Sequence, residues 1–221
     1  MKTSNKSFWK SLLPYLVALI VFILIAVVYC SPVLDGKVLQ AGDSMSWKGM
    51  YREAEVYHQQ TGNYTYWTGS MFSGMPTYQI GGGKAPGLPY YIPFDRIVHF
   101  GFTGTLALIL GYFIGFFILC RSFKINKWLS IVGAMAMAFS SYFFIIIQAG
   151  HNTKAATIAM MAPVIAGFIL TFRKKYGWGI ILTMIFSYIA ILRHPQMSYY
   201  IIMLIGVLFI AEIYIHIKEK R

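Results

Sequence analysis

Charge is scarce in this sequence. Of its 221 residues, 12% are Asp, Glu, Lys or Arg and 57% are hydrophobic, with a mean hydropathy of +0.60. A soluble domain carries roughly twice that share of charge, and so much apolar surface calls for lipid as its solvent. Acidic residues are scarcer still, seven against 19 Lys and Arg, for a formal net charge of +12. In a soluble protein that excess would point to nucleic acid. Here the cations sit in short clusters between apolar runs, as they do beside membrane spans, and nucleic-acid binding is a poor reading.

Other absences narrow the class further. The two cysteines, Cys30 and Cys120, are expected at opposite faces of a bilayer, beyond the ~7 Å that a disulfide can bridge. Neither belongs to a CxxC pair, which argues against zinc. No small-x-small cleavage site follows the first apolar run, so Lys2, Lys6 and Lys10 are expected to precede an uncleaved helix rather than a secretory signal. Gly81, Gly82 and Gly83 before Lys84 lack the spacing of a P-loop. The span centres contain no Asp, Glu, Lys, Arg or His, Glu212 and His99 lying near span ends, and this speaks against an ion-coupled carrier.

What is present is a series of apolar runs at about 12–30, 98–120, 128–148, 155–172, 177–192 and 197–215, near the length needed to cross a ~30 Å hydrocarbon core. Pro14 is expected to open the first helix and Pro163 to kink the fourth. Gly111 and Gly115 form a GxxxG step in the second, a signal of close helix packing. Four segments hold three cations each: Lys2, Lys6, Lys10; Arg121, Lys124, Lys127; Arg173, Lys174, Lys175; and Lys218, Lys220, Arg221. The short segments between them hold one apiece, Lys154 and Arg193. The positive-inside rule then puts both termini in the cytoplasm. The expected fold is an all-α, polytopic bundle of six spans: 1–30 as N-terminus and first helix, 31–97 as one long outer loop, and 98–221 as a five-helix bundle.

The long loop carries five of the seven acidic residues, Asp35, Asp43, Glu53, Glu55 and Asp95. Asp43 and Ser44 are good helix caps. After them Trp47, Met50, Tyr51, Ala54 and Tyr57 recur at three- and four-residue steps, which predicts an amphipathic helix at about 45–60 on the membrane or the bundle. From Thr61 to Pro93 the chain is rich in Gly, Pro and Tyr and is expected to be irregular, with a short helix near 90–96.

The unusual polar residues gather at the expected outer boundary: Asp43; Gln148, His151, Asn152 and Lys154; Arg193, His194 and Gln196. A carboxylate facing cations at headgroup depth can bind a lipid phosphate and activate a hydroxyl. Each residue also has an ordinary reading. Asp43 can cap a helix, Lys154 and Arg193 can anchor at the interface, and His151 and His194 can be structural. Tyr66 and Trp67 can stack on sugars or belong to an interfacial aromatic belt. Glu53 and Glu55 read as a solvated helix face.

At these loops the chain resembles the N-terminal part of the YfhO family of bacterial membrane proteins. The likeness lies in Gly42-Asp43-Ser44, in Thr61-Gly62 through Trp67-Thr68, and in Met71-Phe72-Ser73-Gly74-Met75-Pro76. It continues in Gly150-His151-Asn152-Thr153-Lys154 and in His194-Pro195-Gln196 with Tyr199-Tyr200. The resemblance implies a GT-C-like glycosyltransferase of the bacterial cytoplasmic membrane. Such an enzyme moves a sugar from a polyprenyl-phosphate donor to an envelope glycan or glycolipid on the outer face. It implies Asp43 as catalytic base or as ligand to a divalent metal, with His151, Lys154, Arg193, His194 and Gln196 around the donor phosphate. Family members are several times longer, so the resemblance implies either a piece of such a protein or a truncated gene product. A non-enzymatic membrane component, a lipid or polymer transporter or an envelope scaffold, is the alternative.

Overall fold

A computed structural model describes residues 3–80, 101–102 and 104–219. Its helices in chain order are α1 (Thr3–Tyr29), α2 (Ser31–Leu34), α3 (Gly42–Thr61), α4 (Gly104–Ser122), α5 (Lys127–Ala138), α6 (Ser141–Ala149), α7 (Asn152–Phe172), α8 (Tyr176–Arg193) and α9 (Pro195–Glu219). Two short strands, β1 (Trp67–Thr68) and β2 (Met75–Pro76), pair antiparallel, and a 3₁₀ turn, Thr77–Ile80, follows them. Helices α1, α4, α7, α8 and α9 are long and apolar enough to cross a membrane. The bent pair α5–α6 makes a sixth crossing if it counts as one. The chain is a multi-pass helical membrane protein. The expected helix near 90–96, with Tyr90, Tyr91, Asp95 and His99, lies outside the described residues.

The core is built mainly from the inward faces of α1, α4, α5, α6 and α7, with Ile189 and Ala190 of α8 and Ile201 of α9. Phe22 of α1 stacks on Phe113 of α4 at 5.1 Å, and Phe113 meets Phe139 edge-on at 5.5 Å. Phe139 lies at the 43° break between α5 and α6, where Tyr29 and Phe144 also meet it. Aromatic packing from α1 and α4 therefore fills the bend, a feature that an unbroken apolar run such as 128–148 does not announce. Gly115 allows α4 to approach α7: a Cβ there would lie 2.7 Å from the Ala159 carbonyl and 3.2 Å from Pro163 Cδ. The GxxxG step thus does serve close packing, and α7 runs on as one helix through Pro163.

One expectation is corrected. Pro14 does not open α1, which begins more than two turns earlier at Thr3. The proline removes the N–H that would have bonded the carbonyl of Lys10. The next carbonyl, Ser11 O, accepts a hydrogen bond from Lys127 Nζ at 2.9 Å, and that ammonium also lies over the Tyr15 ring. A cation from α5 thus helps solvate the interrupted turn.

The same end of the bundle holds the α4–α5 and α7–α8 turns. Each closes with a lysine in the left-handed region, Lys124 at φ 64° and Lys174 at φ 60°. Arg173 donates to the Ser122 carbonyl, joining the two turns. Phe172 meets His216, which brings the last turns of α9 to this end as well. Cys120 lies in the last turn of α4, whereas Cys30 follows α1 at its other end, and both are free thiols. Residues 30–43, 149–152 and 193–195 mark the opposite end, called here the long-loop end.

Candidate functional site

The long loop returns to the bundle at its own helix start. Gly42 to Ser44 form the first turn of α3, and the N-cap residue is Ala41, with no side-chain capping bond. Asp43 is therefore not the cap that its residue type suggests. Its Oδ2 lies 3.1 Å from Nδ1 of His151, the N-cap residue of α7. Asp43 keeps a favourable place at the positive end of the α3 dipole while its carboxylate is directed to the imidazole. The pair is open to solvent, with side-chain exposures of 60% and 49%.

Gly150 makes this approach possible. It closes α6 with φ +98°, and a Cβ on it would lie 3.0 Å from Ala41 Cβ and 3.1 Å from both N and Oγ of Ser44. The α6–α7 turn is thus seated on the first turn of α3, and Asp43 and His151 are brought together by backbone packing. Tyr112 fixes the other side of this turn. Its hydroxyl donates to the carbonyl of Ala155 at 2.9 Å, and its ring stacks on Phe143 at 4.2 Å. Lys154 lies one turn into α7 with its ammonium over the Tyr142 ring, 5.6 Å from the centroid.

Arg193 reaches the same end from α8. Thr157 Oγ1 donates to the Ala190 carbonyl at 3.4 Å, joining α7 to α8. Lys154 and Arg193 each stand three residues outward of that contact, about 4.5 Å along their helices at 1.5 Å per residue. By backbone position Lys154 and the half-buried residue Arg193 therefore stand at about one level of the bundle.

His194 and Gln196 have local partners. His194 Nδ1 accepts the backbone N–H of Met197 at 3.3 Å and so caps α9, with Pro195 at the first helical position. Gln196 donates to the Tyr200 hydroxyl at 3.3 Å. Tyr66 and Trp67 belong to a separate unit. The β1–β2 hairpin is held to the middle of α3, where Ser70 Oγ donates to the Met50 carbonyl at 3.3 Å. Glu53 accepts from the Thr68 hydroxyl and from the N–H groups of Gly69 and Ser70, both at 2.9 Å. Along the α3 axis these attachment points stand about 10–15 Å from Asp43.

Glu53 was missed by sequence reasoning, which placed it on a solvated face. It is the clamp between α3 and the hairpin, and the Thr68 hydroxyl foremost, then the two amides, hold its carboxyl below the ordinary range against a smaller opposing effect of burial. Glu55 does lie on the solvated side, paired with Arg52 at 2.9 Å. The apolar face of α3 is turned partly toward the hairpin and the 3₁₀ turn, where Trp47 donates to the Ile80 carbonyl and stacks on Tyr51 at 5.7 Å. The segment 65–80 is correspondingly more regular than its glycines and prolines imply.

Chemically, the arrangement supplies a carboxylate–imidazole pair at the end of the bundle that also carries Lys154 and Arg193. With Nδ1–H of a neutral His151 donating to Asp43, the Nε2 lone pair is available as a proton acceptor. As a metal site the pair is incomplete, since among the described residues no His, Cys, Asp or Glu joins it as a third donor. Compared with known proteins, the chain matches no family model, no curated protein and no solved structure.

Proposed function

We propose that this chain, alone or as part of a longer protein, is a membrane glycosyltransferase. It would move a sugar from a polyprenyl-phosphate donor to an envelope acceptor on the outer side of a bacterial cytoplasmic membrane, with both termini inside. The observation that supports this reading best is the contact of Asp43 with His151 at the end of the bundle where Lys154 and Arg193 also emerge. It agrees with the resemblance of these loops to YfhO-type, GT-C-like proteins.

In the reaction proposed, the acceptor oxygen attacks the anomeric carbon of the donor sugar as the bond from that carbon to the lipid phosphate oxygen breaks. The bonding pair leaves with the phosphate, and Lys154 and Arg193 offset its charge. The acceptor proton passes to the Asp43–His151 pair, either to the carboxylate or to Nε2 of the imidazole that the carboxylate orients. Trp67 and Tyr66, exposed on the hairpin, would stack on a sugar only if an extended acceptor reached beyond the immediate site.

Gene replacement tests this. With wild type, a deletion and Asp43→Asn compared by mass spectrometry of envelope glycans, the deletion and the variant should lose the same glycan, with variant protein still at normal level in the membrane. A normal glycan profile in Asp43→Asn would remove the catalytic assignment. One observation favours the non-enzymatic alternative of a scaffold or transporter: α9 is nearly bare along its whole apolar length, which leaves room for partner helices. That reading expects an unchanged glycan profile in Asp43→Asn and a water path along the spans, detectable by labelling introduced cysteines.

A further inference from the structure

The hairpin attached to α3 has an unusual tip. Phe72 is 86% exposed and has φ 52°, Ser73 follows at φ 59° and Gly74 at φ 118°. A left-handed backbone is costly for a bulky aromatic residue and persists only where the surroundings impose it. They do so here. Gly74 N–H donates to the Met71 carbonyl at 2.7 Å, closing the turn, and a Cβ on Gly74 would lie 2.8 Å from the Trp67 ring. Below the tip, Glu53 holds residues 68–70, and Thr77 bonds the carbonyls of Tyr66 and Thr65 at 3.0 Å and 2.7 Å. The fold thus holds a phenyl ring out from a fixed base, where water would drive a free loop to tuck it in.

The surroundings of the tip are equally distinctive. From Val56 to Gly83 there is no Asp, Glu, Lys or Arg, a length in which average composition would place about seven. Within that stretch Tyr57, Tyr64, Tyr66 and Trp67 are all exposed, as Phe72 is. A run rich in exposed Tyr and Trp and without charge of its own, with Glu53 engaged at its base, has the composition of a membrane–water interface. A docking face for another protein would be expected to carry polar or charged groups at its rim to fix its register.

We propose that the 67–76 hairpin is an interfacial anchor that inserts Phe72 into the lipid leaflet on the long-loop side of the membrane. Its base in Trp67 and Tyr66 rests at headgroup level. The partner is thus the lipid surface itself, and the anchor would hold α3, and with it Asp43, at a set height over the bundle. This does not depend on the transferase reading.

The test uses the full chain with Cys30→Ala and Cys120→Ala, reconstituted in phosphatidylethanolamine–phosphatidylglycerol vesicles. An environment-sensitive NBD fluorophore is attached at Phe72→Cys or, for reference, at Gln59→Cys on exposed α3. The probe at 72 should be blue-shifted relative to that at 59, quenched by lipids brominated in their acyl chains, and protected from aqueous iodide. With the probe moved to Tyr66→Cys, the further change Phe72→Glu should abolish quenching by brominated lipid. A probe at 72 quenched by iodide as readily as at 59 would overturn the proposal. So would a probe shielded from both quenchers, which would indicate a protein contact.

Discussion

Gly150→Ala is the substitution that bears most directly on how the site is assembled. Its φ of +98° lies where only glycine is at ease, and an L-residue in a left-handed backbone costs about 1–2 kcal/mol. The new methyl would also press on Ala41 Cβ at 3.0 Å and on the backbone nitrogen of Ser44 at 3.1 Å, and overpacking of this kind adds about 1–3 kcal/mol. Against that penalty the exposed Asp43–His151 pair contributes about 0–1 kcal/mol. The α3 start should therefore separate from the α6–α7 turn while the helices of the core remain. Gly62→Ala is the control, because Gly62 has φ +73° but no atom within 4 Å of its ideal Cβ. It carries backbone strain without the contact. Spin labels at Lys48→Cys and Gln148→Cys, in a chain with Cys30 and Cys120 replaced by alanine, report the separation by pulsed electron resonance. A single narrow distance is expected for the parent and for Gly62→Ala, and a broad, longer distribution for Gly150→Ala. An unchanged narrow distance in Gly150→Ala would refute the reasoning.

Two further outcomes follow from the packing and the clamp. Gly115→Ala should push α4 from α7 and lower the stability of the purified protein by about 1–3 kcal/mol, seen as a reduced unfolding temperature in detergent; no change would mean that the 2.7 Å approach to the Ala159 carbonyl relaxes freely. Glu53 titrates lower in the folded chain than its ordinary 4.5, so its clamp contributes fully above that value and is lost as pH falls through the lowered one. Hydrogen exchange of residues 66–77, corrected for intrinsic rate, should therefore be faster in acid, and Glu53→Gln should show the acid behaviour at neutral pH. Equal protection in Glu53→Gln and wild type would contradict the clamp.

The spans were legible because membrane helices advertise themselves by composition, and α3 because Trp47, Met50, Tyr51, Ala54 and Tyr57 repeat at helical steps. The close packing at Gly115 was legible for a similar reason. The features that escaped are set by partners distant in sequence. Asp43 and His151 are expected at one boundary, but that Asp43 leaves the cap of α3 to Ala41 and turns to an imidazole 108 positions away is not written in its local sequence. Glu53 looks solvated until the 68–70 turn folds onto it. The bend at Phe139 depends on rings from α1 and α4, and hydropathy is blind to it. The early start of α1 escaped because a proline reads as a helix opening, whereas α1 runs through Pro14 with Lys127 bonded to the neighbouring Ser11 carbonyl. For His194 the structural reading has a specific form, since its ring accepts the Met197 N–H only three residues on and opens α9.

The whole account depends on Asp43 lying beside His151. The most direct measurement is thiol cross-linking in native membranes of a chain carrying Asp43→Cys and His151→Cys, with Cys30→Ala and Cys120→Ala. A bifunctional maleimide of the shortest span should join the two in high yield, and Asp43→Cys with Trp128→Cys, at the other end of the bundle, should give none. Failure of the 43–151 pair to cross-link, with both thiols shown to react singly, would contradict the account.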